Sequence, residues 1–432
     1  MRVLFVANPE KAHLLAMAPM AWALRTAGHE VCFAGQPSFT KLITQAGLTA
    51  VPVGRDGDLW ELIPRHPQLR GWVWQPEYGM PAPYDVAEWP ERATWQHMTA
   101  GYAETLHSWH KPACFPMIAA LVEFARQWRP DLVIWEPLAL AGPIAAKACG
   151  AAHGRLLWGV DVFGFTRHQF LRLKAAQPAG DRTDPLADWL AAYGRKYGFD
   201  FTEDMLTGRF TIDQLPDSLR MDAGLRYLSM QYIPYGGPAV VPHWLRDPPE
   251  RPRIALTMGV SLTEHDAGYS VGVQGILDEL SDLDIEVVAT IAESEQAKLH
   301  RVPGNVRLVS YVPLHALVPT CSAVIHHGGY GTILTIARWG VPQLATPWDF
   351  DGPEFSRRVA AQGSALMIRA DRATGEAVRS AVRRLLTEPG FRERAASLRA
   401  ELHRLPSPNQ LVPLLEELTS QHRSTEEARC AF

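Results

Sequence analysis

The chain has 432 residues, 47% of them hydrophobic and 20% charged, with a net charge of −4. That length is too great for one ordinary core and predicts two domains of about 200 residues each. Mild acidity without a basic block argues against a nucleic-acid partner, and no apolar run approaches the roughly 18 residues of a membrane span.

Arg2–Ala7 reads as a first strand rather than a leader. Helical spacing runs from Leu14 to Ala27 and stops at Gly28. Glu30–Ala34 is a strand, Phe39–Ala46 a helix and Leu48–Val53 a strand, the signature of a parallel doubly wound sheet. Such sheets bind ligands at the carboxyl ends of their strands, which singles out the loop Asn8–His13. Residues 55 to 112 show no clean period and are crowded with aromatics, including Trp72, Trp74, Tyr78, Tyr84, Trp89, Trp95, Tyr102 and Trp109. Packing within an irregular insertion, the wall of a site for a large apolar ligand and a partner-protein surface stay open as alternatives; Trp72, Trp74 and Tyr78 are the acceptor-site candidates.

The strand–helix alternation resumes with a helix at Phe115–Trp128, a strand at Asp131–Trp135, a helix at Leu138–Cys149 and a strand at Arg155–Val160 ending at Asp161. Polar-amphipathic helices over 165–210, the segment Phe210–Asp213 and a strand near Leu228–Ile233 complete a first domain, 1–233. Prolines and glycines over 234–252 make a linker. A second domain, 253–405, has strands expected at Arg253–Val260, Ile285–Ile291, Val306–Tyr311, Ala323–His326, Gln343–Thr346 and Ala365–Ile368. Residues 406–432 form a C-terminal helix and polar tail. Five singly scattered cysteines (Cys32, Cys114, Cys149, Cys321, Cys430) predict neither disulfides nor zinc, which fits a reducing cytoplasm.

The most informative stretch is Cys321–Gly352. A short buried strand leads into His326, His327, Gly328, Gly329, Tyr330, Gly331 and Thr332, and then into a helix. A glycine-rich turn before a helix N-terminus offers free N–H groups and the positive end of the helix dipole. It is read as a pocket for a nucleotide diphosphate.

These residues resemble nucleotide-sugar-dependent glycosyltransferases of the GT-B type, two Rossmann-like domains facing each other across a cleft. Tyr311-Val312-Pro313-Leu314 is similar to the start of the plant donor signature W-x-P-Q, His327 to Thr332 to its H-C-G-W-N-S centre, and Pro347 with Asp351 to its P-x-x-x-D-Q end. The resemblance implies that Tyr311 stacks on the nucleobase and that Val312 bonds its edge. It implies that His327, Gly328, Gly329, Gly331 and Thr332 hold the diphosphate, that Asp351 touches the sugar, and that Ser261, in the turn Gly259-Val260-Ser261, contacts phosphate. Two departures matter. Thr335 stands where the plant signature has a ribose-gripping glutamate, which favours a deoxyribose nucleotide, thymidine diphosphate (dTDP). Gly352 replaces the glutamine that grips sugar hydroxyls, which fits a deoxysugar.

Over nearly the whole chain, segments such as Ala21–Leu24, Ala27–Val31, Leu132–Pro137, Leu157–Gly159 with Asp161, Phe210–Asp213, Val241-Pro242 and His326–Gly329 resemble actinomycete antibiotic glycosyltransferases. Those enzymes attach deoxy- or aminodeoxysugars to macrolide or aromatic polyketide aglycones, and several need an activator protein resembling a cytochrome monooxygenase. The resemblance therefore implies an inverting transfer from a dTDP-sugar co-substrate, with His13 as general base and such an activator as a partner. Histidine as a residue type exchanges protons near neutral pH. Glu136 and Asp161 both end strands of the same half, and the choice of an orienting acid between them stays open; Asp161 is the second catalytic candidate.

The pairs Asp349-x-Asp351 and Asp56-x-Asp58 are not read as metal sites, because hard cations need more oxygen ligands than two carboxylates. Neither a metal nor a cofactor is expected. The alternatives are a nucleotide-sugar 2-epimerase of the same fold and a non-catalytic binding homologue. A nicotinamide oxidoreductase is disfavoured because Asn8–His13 contains no glycine.

Overall fold

The computed structural model describes residues 1–57, 79–259 and 268–430. Among them the first sheet has seven strands in the order β3-β2-β1-β4-β5-β6-β7: β1 (Arg2–Val6), β2 (Glu30–Gly35), β3 (Ala50–Pro52), β4 (Leu132–Trp135), β5 (Ala152–Leu156), β6 (Thr211–Asp213) and β7 (Tyr227–Ser229). The second has six in the order β10-β9-β8-β11-β12-β13: β8 (Arg253–Thr257), β9 (Glu286–Thr290), β10 (Val306–Val309), β11 (Ala323–His326), β12 (Gln343–Ala345) and β13 (Ala365–Met367). All pairings around the central strands are parallel. Strands covered on both faces read as continuous apolar runs, and Val3, Leu4, Phe5 and Val6 of β1 are fully buried. This is the expected doubly wound α/β class, twice over.

The helices that matter for the site are α1 (Lys11–Thr26), α2 (Trp95–Thr105), α3 (Lys111–Trp128), α4 (Val162–Ala175), α5 (Tyr330–Trp339), α6 (Gly352–Gln362) and α7 (Pro408–Cys430). A π turn, Leu106–His110, joins α2 to α3, so part of the stretch expected to be irregular is helical. Its aromatics supply the reason. Tyr102 packs edge-on against Tyr84 and Phe170, and Trp95 stacks on Phe170. α7 runs through the expected polar tail and crosses back to the first sheet. Its Leu411, Val412, Leu415 and Leu418 share a core with Leu14, Met17 and Leu24 of α1.

One strand lies earlier than its sequence suggests. β5 spans Ala152–Leu156, whereas Arg155–Val160 was expected. The polar residues His153 and Arg155 disguise it, yet both are buried with partners. The Trp135 indole donates to His153 at 3.4 Å, and Arg155 makes bonds of 3.1 and 2.8 Å to the two oxygens of Asp161. Gly154 is required, since a Cβ there would lie 2.2 Å from the Phe210 ring. The consequence is functional: Leu157 to Asp161 form the loop at the carboxyl end of β5.

In each sheet the winding direction reverses at the first strand. β1 lies between β2 and β4, and β8 between β9 and β11. The crevice at such a reversal is where open α/β sheets bind ligands.

Candidate active site

At the first crevice, His13 lies in the first turn of α1, not in the loop before it, because the helix begins at Lys11. Burial holds its ring in place; the residue is 6% exposed. Glu136 follows β4 directly and is fully buried. Its Oε1 lies 3.5 Å from His13 Nδ1 and accepts the Asn8 N–H at 3.2 Å. Its Oε2 accepts the Leu138 N–H and the Trp158 indole N–H, both at 2.8 Å. Burial alone would raise the Glu136 pKa, but the His13 charge and these donors hold it below the usual carboxylate range. The carboxylate is therefore ionised at neutral pH and presents Oε1 towards His13 Nδ1.

Of the two candidate acids, the structure places Glu136 beside His13 and Asp161 elsewhere. Asp161 caps α4 through Gly164 N–H at 2.9 Å and is occupied by Arg155 and by the Tyr227 hydroxyl at 2.9 Å. Asp161, the second catalytic candidate, thus has its oxygens engaged by a buried network, while Glu136 is the carboxylate beside His13.

Beside the pair lies an apolar cavity, lined by Trp158 together with Met80, Val160, Phe163, Phe350 and Asp351, among others. Trp158 stacks on His13 with ring centres 4.0 Å apart and planes 15° from parallel. Behind this wall, Tyr84 packs edge-on against Phe163 at 4.7 Å, and its hydroxyl bonds His110 Nε2 at 2.6 Å. Burial pushes the His110 pKa down to about 4, so that ring is neutral. Of the aromatics singled out in sequence, Tyr84, Tyr102 and Trp109 belong to this packed layer, while Trp72, Trp74 and Tyr78 lie outside the described residues.

At the second crevice, His327 follows β11 and reaches across to the end of β8. A Cβ on Gly259 would lie 2.6 Å from the His327 ring, and one on Gly329 would lie 2.4 Å from its Nε2. Both glycines are therefore needed for the ring to sit between the two turns. Gly328 has φ +91°, in the left-handed region. Burial pushes the His327 pKa down to about 4, against the opposing pull of the Thr257 backbone. A neutral ring donates an N–H but carries no charge. α5 begins at Tyr330 with Gly329 before it, so its free N–H groups open at this turn. His326, by contrast, is core: it ends β11, is fully buried and accepts the Gly328 N–H through Nδ1 at 3.1 Å.

The remaining donor-side candidates are distributed unevenly. Gly331 meets the Tyr232 hydroxyl, which would be 2.8 Å from an added Cβ. Thr332 is partly buried on the first turn of α5, Tyr311 is half exposed and Val312 is buried. Ser261 lies outside the described residues, as does Asp58. Asp56 accepts the Ser38 N–H at 2.7 Å. Thr335 is 4% exposed and its hydroxyl donates to the Gly331 carbonyl at 2.7 Å. A glutamate there would be sealed in, so this departure from the plant pattern also has a packing cause.

Asp351 joins the two crevices. Its Oδ2 accepts the Val160 N–H at 2.7 Å, and a Cβ on Gly159 would come within 2.6 Å of that oxygen. Burial raises the Asp351 pKa to about 6; Asp349, raised by burial and by Asp351, reaches about 7. Between them Phe350 takes φ +51° and packs edge-on against Trp109 at 5.8 Å. Trp158, Phe163 and Phe350 were not recognised in sequence as site residues. In sequence, Trp158 fell inside the expected strand Arg155–Val160 and in the segment Leu157–Gly159 that carries the family resemblance, with no role assigned to it.

The chain is similar to known proteins along most of its length. The erythromycin biosynthesis protein CIII-like N-terminal domain matches residues 22–259 and the corresponding C-terminal domain matches 274–418. The chain is 45% identical to the 10-deoxymethynolide desosaminyltransferase of Streptomyces venezuelae, over 98% of both chains. It is 40% identical to the TDP-daunosamine transferase DnrS of Streptomyces peucetius, again over 98% of both. Its fold superposes with a TM-score of 0.86 on the glycosyltransferase VinC, solved in complex with dTDP, at 40% identity over 98% of this chain and 100% of that one. The chain belongs to the erythromycin biosynthesis protein CIII-like family.

Proposed function

We propose that this enzyme is an inverting glycosyltransferase that moves a deoxysugar or aminodeoxysugar from a dTDP donor to a hydroxyl of a polyketide aglycone, macrolide or anthracycline-like. Kinship to named deoxysugar transferases of both aglycone classes supports the reaction and lends nothing to the epimerase or to a non-catalytic role. The observation that carries the mechanism is His13 with Glu136 beside it, next to an apolar cavity that shares Trp158 with the pair and takes Phe350 and Asp351 from the other half.

In this reading the aglycone lies against Trp158, Phe163 and Phe350. Nε2 of His13 takes the proton of the acceptor hydroxyl as its oxygen attacks the anomeric carbon from the face opposite the diphosphate. Glu136 compensates the imidazolium that forms. The C–O bond to dTDP breaks, and the departing charge meets the N–H groups of Gly328, Gly329 and Gly331, the start of α5 and the His327 N–H. Tyr311 and Val312 hold the base, Thr332 and Ser261 the phosphates, and Asp351 the sugar. We expect no metal or cofactor, since backbone donors and a helix dipole do the work of a cation. A cytochrome-monooxygenase-like activator and a cytoplasmic setting complete the proposal; no helix among the described residues is long and apolar enough to cross a membrane.

Calorimetry with dTDP and UDP tests the donor site; equal affinity for both would overturn the deoxyribose reading. Turnover of dTDP-desosamine with and without 10-deoxymethynolide tests the reaction. Conversion of donor without acceptor would favour the epimerase instead.

A further inference from the structure

The loop after β5 does more than line the cavity. Trp158 meets both members of the catalytic pair at once: its face lies parallel on the His13 ring at 4.0 Å, and its indole N–H donates to Glu136 Oε2 at 2.8 Å. A tryptophan retained only for packing needs its N–H satisfied by any nearby acceptor. Here the acceptor is a fully buried carboxylate whose other oxygen faces His13. The loop is also pinned from across the cleft, because the next residue is a glycine that admits Asp351 and the one after it, Val160, donates to that carboxylate at 2.7 Å.

We propose that Trp158 is the positioning residue of the catalytic base. It fixes the plane of the His13 ring by stacking and fixes the Glu136 carboxylate by its N–H, so that the lone pair stays aimed at the acceptor hydroxyl. This rests on the reading of His13 as the base. When His13 takes a proton, the electron-rich indole face stabilises the imidazolium in addition to Glu136. The charged groups that face His13 are Glu136 from its own half and Asp351 from the other. Because Asp351 anchors the loop, the orientation of the base depends on the second half being in place. Nothing in the sequence pattern reports this link.

The test compares Trp158→Leu, which removes both contacts, with Trp158→Phe, which keeps an aromatic face and loses the N–H. dTDP-desosamine and 10-deoxymethynolide serve as the probe pair, with dTDP affinity measured by calorimetry as the control for folding. Trp158→Leu should lower kcat by roughly 10- to 100-fold with donor KM unchanged. It should also move the acidic limb of the pH–rate profile to lower pH, and Trp158→Phe should recover part of both. A second measurement needs no substrate. The histidine ring-carbon NMR titration of His13, assigned by its loss in His13→Ala, should shift to lower pH in Trp158→Leu by about half a unit to one unit. A slower Trp158→Leu enzyme with an unmoved titration, or one that turns over like the parent, overturns the proposal. His13→Ala distinguishes the two levels: if that variant keeps turnover, the reading of the base itself fails.

Discussion

The two crevices are built on the same plan and surround their histidines differently. Each lies where a sheet reverses its winding, each follows a central strand, and each presents a histidine to the end of the neighbouring strand. Across from His13 stands the buried carboxylate of Glu136; across from His327 stands Gly259, with no side chain at all. The first histidine has a buried carboxylate beside it. The second is walled by backbone and pushed down to about 4 by burial, so its ring is neutral. Topology delivers a histidine to each place, and the facing residue sets the electrostatic surroundings of each ring; on the proposed mechanism, that is the difference between moving a proton and only donating one.

That contrast can be broken experimentally, beginning where the effect is greatest. His13→Ala should cut turnover by about 100- to 10,000-fold while leaving dTDP affinity unchanged, because the base is not part of the donor site. Gly329→Ala should do the opposite. Its methyl would lie 2.4 Å from His327 Nε2, and dTDP affinity by calorimetry should fall by roughly 10- to 100-fold as the ring is displaced. Glu136→Gln keeps the shape and removes the counter-charge; kcat should fall by about tenfold.

The same substitution has a stability signature. The Glu136 pKa is held below its ordinary range, so the carboxylate stabilises the fold above the unfolded-state pKa of about 4.3, and that contribution is lost as pH falls through the folded value. The melting-temperature deficit of Glu136→Gln, measured at neutral pH, should therefore shrink as the solution is acidified. Asp349 has the opposite sign. Its pKa is raised to about 7, so ionisation costs the folded state stability as pH rises from about 4 towards 7. Asp349→Asn should raise the melting temperature at pH 8 by roughly a few degrees and by nothing near pH 4. A pH-independent difference would show that Asp349 is not strained by its burial.

Much of this was legible from residues alone, for stated reasons. β1, β4 and β11 are continuous apolar runs, and a parallel strand covered on both faces must look like that. The turn His327–Thr332 was legible because glycine spacing between a strand and a helix has few other uses. β5 was misplaced because His153, Gly154 and Arg155 look unlike a strand until Trp135, Phe210 and Asp161 are seen beside them. Asp161 and Glu136 could not be told apart, since both follow strands and only their partners differ. Trp158 was invisible as a site residue for the same reason.

The linear order of residues determined the two doubly wound halves, the glycine turn that suits a diphosphate and the histidine after the first strand. All of these follow from local periodicity and backbone freedom, which neighbouring residues set. Only the folded molecule decided that Glu136 lies beside His13, that Trp158 stacks on it and that Asp351 reaches across to Val160. Those are contacts between segments separated by as many as 191 positions, and no local pattern encodes a partner that distant until packing has chosen which side chains share a cavity.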